Sequence, residues 1–439
     1  MINLEYVISA CGMMGVFTNH VYDNHREVWR DSLIELMQCL NESIAKKVKN
    51  TNPTVATLFN AYTESSFTDR IAALNNMGAA KLYADSGGLQ IVTAGKKITP
   101  EIKQQIYKTQ TAADYAMCFD EIALGSFSIT RTRNERSNVG NKIFKSSEHA
   151  EKGTLTGKNI KEQIEAFKSL KAKTKVIPII QGNTYQDMIV FYNQIANELE
   201  DEDYEFISGM AIADTCMGNG ELESIEMLRG AKHISMICHD NIKKHLHILG
   251  VGSISRMRPI LYLNKSGYLD TFEKVSYDSS SHTSTFDYGL LKVNGTCRPL
   301  GGVRTPRGEA HFRNVYALFN KFLSSKISED EFLDLILGDG VSDWKYSTVK
   351  ERSMSMSEEK MIVGMLSKTM HTYFQIDNFV TCIDKVLVET SSGNQHIDKL
   401  LNIRDDVTME SWLNAARSNI KSKRIVREEN HGSLEDLFQ

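Results

Sequence analysis

The stretch Lys81-Leu82-Tyr83-Ala84-Asp85-Ser86-Gly87-Gly88-Leu89 decides the fold. A short apolar run ends on a carboxylate, and two glycines follow at once. Buried strands end this way where they hand over to a loop, and glycine lets backbone approach a flat ligand because no Cβ intervenes. By itself the stretch fits a surface turn equally well. The rest of the chain repeats the pattern. Short apolar runs occur at Tyr6–Ala10, Val55–Phe59, Lys81–Ala84, Tyr115–Phe119, Val176–Ile180, Phe206–Ile212, Leu246–Val251 and Lys274–Tyr277. Helix-like stretches separate them, such as Asn159–Phe167, where Ile160, Ile164 and Phe167 share one face. Near-continuous apolar strands alternating with helices predict a parallel sheet covered on both faces. Eight such units predict an α/β fold of the (β/α)8 TIM-like barrel type. Pro178, inside the fifth run, predicts an irregular strand there.

The barrel, with insertions, is expected over residues 1–325. Residues 124–157 break its rhythm: they are rich in Ser, Thr, Asn and Gly and carry Arg131, Arg133, Arg136, Lys142, Lys145 and Lys152. They read as a long basic loop, and loops of that length are usually functional or disordered. Residues 326–439 read as a helical C-terminal extension ending in a basic run of Arg417, Lys421, Lys423, Arg424 and Arg427. Such a run is either a solvated face or a contact for an acidic partner.

Composition narrows the function classes. The 439 residues are 41% hydrophobic and 24% charged, as in soluble globular proteins. A net charge of −4 excludes a global basic footprint, so any nucleic acid must be held by local patches. Seven scattered cysteines without a CxxC pair predict a reducing compartment, and with it a cytoplasmic location. No apolar run reaches the roughly 18 residues of a membrane span, and Met1-Ile2-Asn3-Leu4-Glu5 lacks the features of a signal peptide.

In a barrel, reactive groups project from the carboxyl ends of the strands. Those ends supply Asp85, then Asp120 and Glu121, then Gln181 and Gly182, the Gly209-Met210-Ala211 stretch, Gly250-Val251-Gly252-Ser253, and Asp278 followed by Ser279. Three aspartates and an amide at one mouth suit a guanine-like base. A carboxylate accepts from the ring N–H and exocyclic amine, and an amide N–H donates to the ring carbonyl. One carboxylate remains to act as a nucleophile.

These motifs, in this order, resemble the tRNA-guanine transglycosylase superfamily over residues 80–320. The resemblance rests on Asp85-Ser86-Gly87-Gly88-Leu89-Gln90, Cys118-Phe119-Asp120-Glu121, Ile180-Gln181-Gly182, Ser208-Gly209-Met210-Ala211, Gly250-Val251-Gly252 and Tyr277-Asp278-Ser279. It implies that Asp278 attacks the sugar C1′ and that Asp85 is the general acid/base. It also implies that Asp120, Gln181 and Gly209 read the base edge, that Met210 contacts the base, and that Ser86 and Gly87 line its site. The substrates so implied are free guanine and a 7-deazaguanine base, together with a nucleic acid.

The sequence departs from the tRNA enzymes at two places. Their zinc site needs three clustered cysteines and a histidine, whereas Cys297 stands alone here and Arg313 takes the place of the histidine. One cysteine cannot close a tetrahedral site, so no zinc or other cofactor is expected. Their Pro-Thr-Arg segment after the nucleophile is replaced by Ser281-His282-Thr283-Ser284-Thr285. Both departures make the chain most similar to the DNA-guanine transglycosylase branch, found in bacteriophages and bacterial modification systems. DNA is the expected partner. The alternatives are a tRNA enzyme with a degenerate zinc site and a non-catalytic nucleic-acid-binding paralogue. The sequence leaves open a homodimer or a helper protein. A barrel lyase or aldolase would need a positioned lysine or a metal cluster at the strand ends, and the sequence has neither.

Overall fold

The structure, a computed structural model, describes residues 4–9, 54–63, 81–88, 91, 97–122, 146–182, 184–213, 221–279, 290–293, 296–299, 313, 316–317, 328–331, 333 and 379–430. Among these, nine strands form one sheet: β1 (Leu4–Ser9), β2 (Thr54–Asn60), β3 (Leu82–Asp85), β4 (Tyr115–Met117), β5 (Lys175–Ile177), β6 (Ile179–Ile180), β7 (Met210–Ile212), β8 (Leu246–Ile248) and β9 (Val275–Ser279). The sheet order is β5-β4-β3-β2-β1-β9-β8-β7-β6, and every pairing is parallel. The chain is therefore α/β, and each of the eight predicted runs contributes to the sheet. The fifth run is split as anticipated. Pro178 has no N–H to donate and separates β5 from β6, while its carbonyl accepts from Ala211 at 2.7 Å.

Helices connect the strands: α1 (Pro100–Gln110), α2 (Ser146–Ser169), α3 (Tyr185–Glu198), α4 (Glu221–Ile237), α5 (Asp240–Lys243) and α6 (Ile254–Lys265). Their starts are set by local chemistry. Thr99 caps α1 ahead of Pro100, and Thr184 and Asp187 form a reciprocal capping box on α3. Their apolar faces (Ile106 and Tyr107; Ile160, Ile164 and Phe167; Phe191 and Ile195) are buried.

Helix α2 corrects the expected loop over 124–157. Residues 146–157 are helical, and 124–145 lie outside the described residues. The glycines that suggested a loop are packing sites instead. A Cβ on Gly153 would lie 2.6 Å from Phe191 O, and one on Gly157 would lie 2.8 Å from Glu198 Cβ. Both glycines let α2 press against α3.

A second feature escaped the sequence reading. Strands β10 (Leu290–Val293) and β11 (Thr296–Pro299) pair antiparallel, Val293 opposite Thr296. The two residues between them are Asn294-Gly295, the strongest short hairpin signal.

Where described, the extension holds helical residues at 329–331, 333 and 379–388, α7 (Gln395–Asp398), a 3-10 turn at Lys399–Asn402 and α8 (Asp406–Asn430), joined by irregular segments at 389–394 and 403–405. It docks through ion pairs. Glu389 accepts from Arg258 at 3.0 and 3.2 Å and from Tyr262 at 3.0 Å, and Asp406 holds the buried Arg229 with two bonds of 2.7 Å. Phe379 stands edge-on to Tyr6 and Tyr277, on one face of β1 and β9. Arg417 of the basic run is bound to the buried Glu226 of α4. The side chains of the four basic residues after it lie outside the described ones.

Candidate active site

Side chains alternate along a strand, so Glu5, Tyr83, Asp85, Ser276 and Asp278 face the opposite side of the sheet from Tyr6 and Tyr277. Asp85 is the last residue of β3 and pairs in register with Asn60, the last of β2. Asn60 Oδ1 accepts from the N–H groups of Tyr62 and Thr63 at 3.0 and 3.1 Å, which turns the chain, and its Nδ2 reaches Asp85 Oδ2 at 3.5 Å. Gly87 has φ +76°, and a Cβ there would lie 2.6 Å from Asn60 Oδ1. Only glycine fits this left-handed turn against β2. The Ser86 hydroxyl is buried and accepts from Gly88 N–H at 3.3 Å.

The Asp120 loop lies against these residues. A Cβ on Gly88 would sit 3.6 Å from Ser86 Oγ and 3.9 Å from Asp120 Oδ1. Gln181, just beyond β6, donates its Nε2 to Asp120 Oδ2, and both side chains are buried. Helix α2 fixes this loop. Asn159 Nδ2 donates to Phe119 O at 3.0 Å, and Glu121 N–H donates to Thr156 Oγ at 2.9 Å.

Asp278 is buried on β9, and its Oδ1 accepts from Gly250 N–H at 3.0 Å. His247 Nε2 lies 3.6 Å from the same oxygen. Burial first, then the charge of Asp278, push the Asp85 carboxyl up from 3.8 to about 6, against the pull of the Gly87 and Ser86 N–H groups. Two carboxyls that sense each other therefore sit at the carboxyl end of one sheet. One of them is poised to carry a proton near neutrality. Among the described residues, no lysine or arginine pairs with either of them.

No protein-family model matches the chain, and no curated protein matches it at a significant level. The candidate site thus stands on its own geometry.

That geometry gathers Asp85, Ser86, Gly87, Asp120, Gln181 and Asp278. It does not gather Gly209 or Met210. The expected sixth strand end at Gly209-Met210-Ala211 is in fact the start of β7: Met210 is its first residue and pairs with Leu246, the first of β8. Gly209 has φ +112° and donates to Asn241 O at 2.8 Å, packed on His245. Both lie at the amino end of the sheet, away from Asp278. The apolar run from Phe206 predicts strand from its first residue, but Asp201–Phe206 forms a 3-10 turn that delays the strand. The residue that does follow β7 is Ala213.

Asn60 and His247 are neighbours of the two acids that the sequence reading missed. Asn60 stood at a predicted strand end and carried a signal; His247 was hidden inside an apolar run. Of the basic residues considered for nucleic acid, Lys152 lies 3.7 Å from Glu121. Arg131 to Lys145 and the segment Ser281–Thr285 lie outside the described residues. Arg313, at the position of the expected zinc histidine, is paired with Glu329. No cluster of three metal-ligating side chains occurs among the described residues, but the Cys297 side chain and His311 are not among them. No described helix is long and apolar enough to cross a membrane.

Proposed function

We propose that this chain is a DNA-guanine transglycosylase, exchanging guanine for a 7-deazaguanine base through a covalent glycosyl intermediate on Asp278. The observation that carries the reading is the pairing of Asp85 with Asp278. A base exchange that retains the sugar face needs one ionised carboxylate as nucleophile and one carboxyl that gives and takes a proton. Asp278, anchored by Gly250 N–H at 3.0 Å, suits the first role. Asp85, raised to about 6, suits the second.

In the first half-reaction an Asp278 oxygen bonds to C1′, and the C1′–N bond breaks with its electron pair on the base. Asp85 supplies the proton that neutralises the leaving guanine. In the second half the incoming base loses a proton to Asp85, and its nitrogen attacks C1′ to release Asp278. Protons and charge balance over the cycle without an added acid. Asp120 and Gln181, bonded to each other, would hold the base edge, and the Gly87-Gly88 backbone would leave room for the ring. To reach the site, guanosine must leave the duplex stack at a cost of a few kcal/mol.

We further read the parallel sheet as a (β/α)8 barrel closed across Pro178. Its two outermost strands, β5 and β6, are consecutive in the chain, and Val176 bridges to Ile207 just before β7. The preference for DNA over tRNA rests on the single Cys297 and on the missing Pro-Thr-Arg segment. Purified protein, given labelled 7-deazaguanine base with duplex DNA and separately with tRNA, tests both points. Incorporation into DNA is expected. Incorporation into tRNA alone would contradict the choice of substrate, and incorporation into neither would contradict the reading as a whole.

A further inference from the structure

His245 and His247 flank Leu246 and place both imidazoles on the sheet face that carries Asp278. His247 Nδ1 lies 2.6 Å from Ser276 Oγ, and His245 Nε2 lies 2.5 Å from the same oxygen. His247 Nε2 points at Asp278 Oδ1, 3.6 Å away. All three polar side chains beneath Asp278 are buried, and among the described residues neither His247 Nε2 nor His245 Nδ1 has a hydrogen-bond partner.

The Ser276 hydroxyl also meets that of Tyr83, which already donates to Glu5 and accepts from Lys274, so the Ser276 proton is assigned to the imidazole side by what faces His247. A serine hydroxyl has one proton to give and lone pairs to receive. If neutral His247 carried its proton on Nδ1, a bare nitrogen lone pair would face the Asp278 carboxylate in a buried site. The Nε2–H tautomer replaces that repulsion with attraction. His247 Nδ1 then accepts the Ser276 O–H, and Ser276 Oγ accepts the Nε2–H of His245. Burial, followed by the charge of Lys274, holds His245 well below the ordinary imidazole value, so it keeps the single proton this order requires. Its bare Nδ1 is an orphaned acceptor, which is tolerated better than an orphaned donor, while the His247 Nε2–H, 3.6 Å from Asp278 Oδ1, is aimed at the carboxylate without closing a full hydrogen bond.

We propose that His247 is a positioning residue for Asp278, fixed as the Nε2–H tautomer by Ser276 and His245. Together with Gly250 N–H it directs two donors at Oδ1, which leaves Oδ2 for attack on the sugar carbon. His247 gives up no proton during exchange. The inference rests on Asp278 being the nucleophile.

The test has two arms. In the first, single-turnover adduct formation on DNA is measured for wild type, His247→Leu, His247→Gln and Ser276→Ala. His247→Leu should slow adduct formation about 10²-fold, the usual cost of a misaimed reacting group, with KM for the free base unchanged. His247→Gln, which can still donate to Oδ1, should recover to within about tenfold of wild type, and Ser276→Ala should lose about tenfold. A wild-type rate in His247→Leu would overturn the proposal. In the second arm, ring nitrogen shifts of 15N-histidine in the free protein report the tautomer without any activity, each signal assigned by substitution. His247 should be protonated on Nε2 and lose that preference in Ser276→Ala; protonation on Nδ1 would overturn the proposal. A wild type that forms no adduct with DNA or tRNA would refute the nucleophile, while the second arm would still decide the tautomer. Should His247→Leu not fold, His247→Gln and the tautomer carry the decision.

Discussion

The two ends of the parallel sheet treat buried charge in opposite ways. At the amino end, Lys274 donates to Glu5 at 2.6 Å and to the Tyr83 hydroxyl at 2.8 Å, while that hydroxyl donates to Glu5 at 2.5 Å. The ammonium also lies over the rings of Tyr83 and Tyr115. The two buried charges, Lys274 and Glu5, thus oppose each other. At the carboxyl end, Asp85 and Asp278 have no lysine or arginine paired to either among the described residues, and burial, then the charge of Asp278, raises Asp85. A structural cluster satisfies itself; a reactive one is left with a demand that a substrate can meet. The same strands build both ends, so the difference lies in side chains and not in scaffold.

The largest effect expected from breaking this contrast is at Asp85. Asp85→Asn should slow exchange by about 10²- to 10⁴-fold, the usual value of a general acid/base, and remove the rate inflection near pH 6 that the raised carboxyl predicts. Stability should move the other way. The folded state raises this carboxyl, so its contribution is full below the ordinary value of 3.8 and is lost as pH rises through about 6. Asp85→Asn should therefore melt higher than wild type at pH 8, by up to about 3 kcal/mol, with the gap closing towards pH 4. Thermal melts across that range measure it.

Next in size is the amino end. Glu5→Gln leaves Lys274 buried without its anion and should cost about 3 kcal/mol in denaturant unfolding, with the exchange rate per folded molecule unchanged. An equal loss of activity would merge the two ends and break the contrast. Gly87→Ala, forced to φ +76° and into Asn60, should cost about 2 kcal/mol and slow exchange as the Asp85 loop shifts. The smallest effect is at Lys152. Its partly exposed pair with Glu121 predicts a change within about 0.5 kcal/mol for Lys152→Ala, and titration with DNA should give unaltered affinity.

How legible each end was follows from its chemistry. The sheet was legible because each strand is an apolar run, and the carboxyl end because Asp85, Asp120, Gln181 and Asp278 end those runs with polar groups. The amino end was not. Glu5, Tyr83 and Ser276 sit inside strands, where a polar residue makes no visible break, and their partners lie up to 269 positions apart in sequence. Gly209 misled for a related reason: a glycine beside an apolar run marks a strand end but not which end. Gly153 and Gly157 misled because glycine serves close helix packing as readily as a loop.

The central claim is that Asp278 takes the sugar. Wild-type protein incubated with DNA and quenched in denaturant should yield a protein–DNA adduct by intact mass. After digestion the nucleotide should map to the peptide containing Asp278, and Asp278→Asn should form no adduct and exchange no base. An adduct on another residue, or full exchange by Asp278→Asn, would contradict the account.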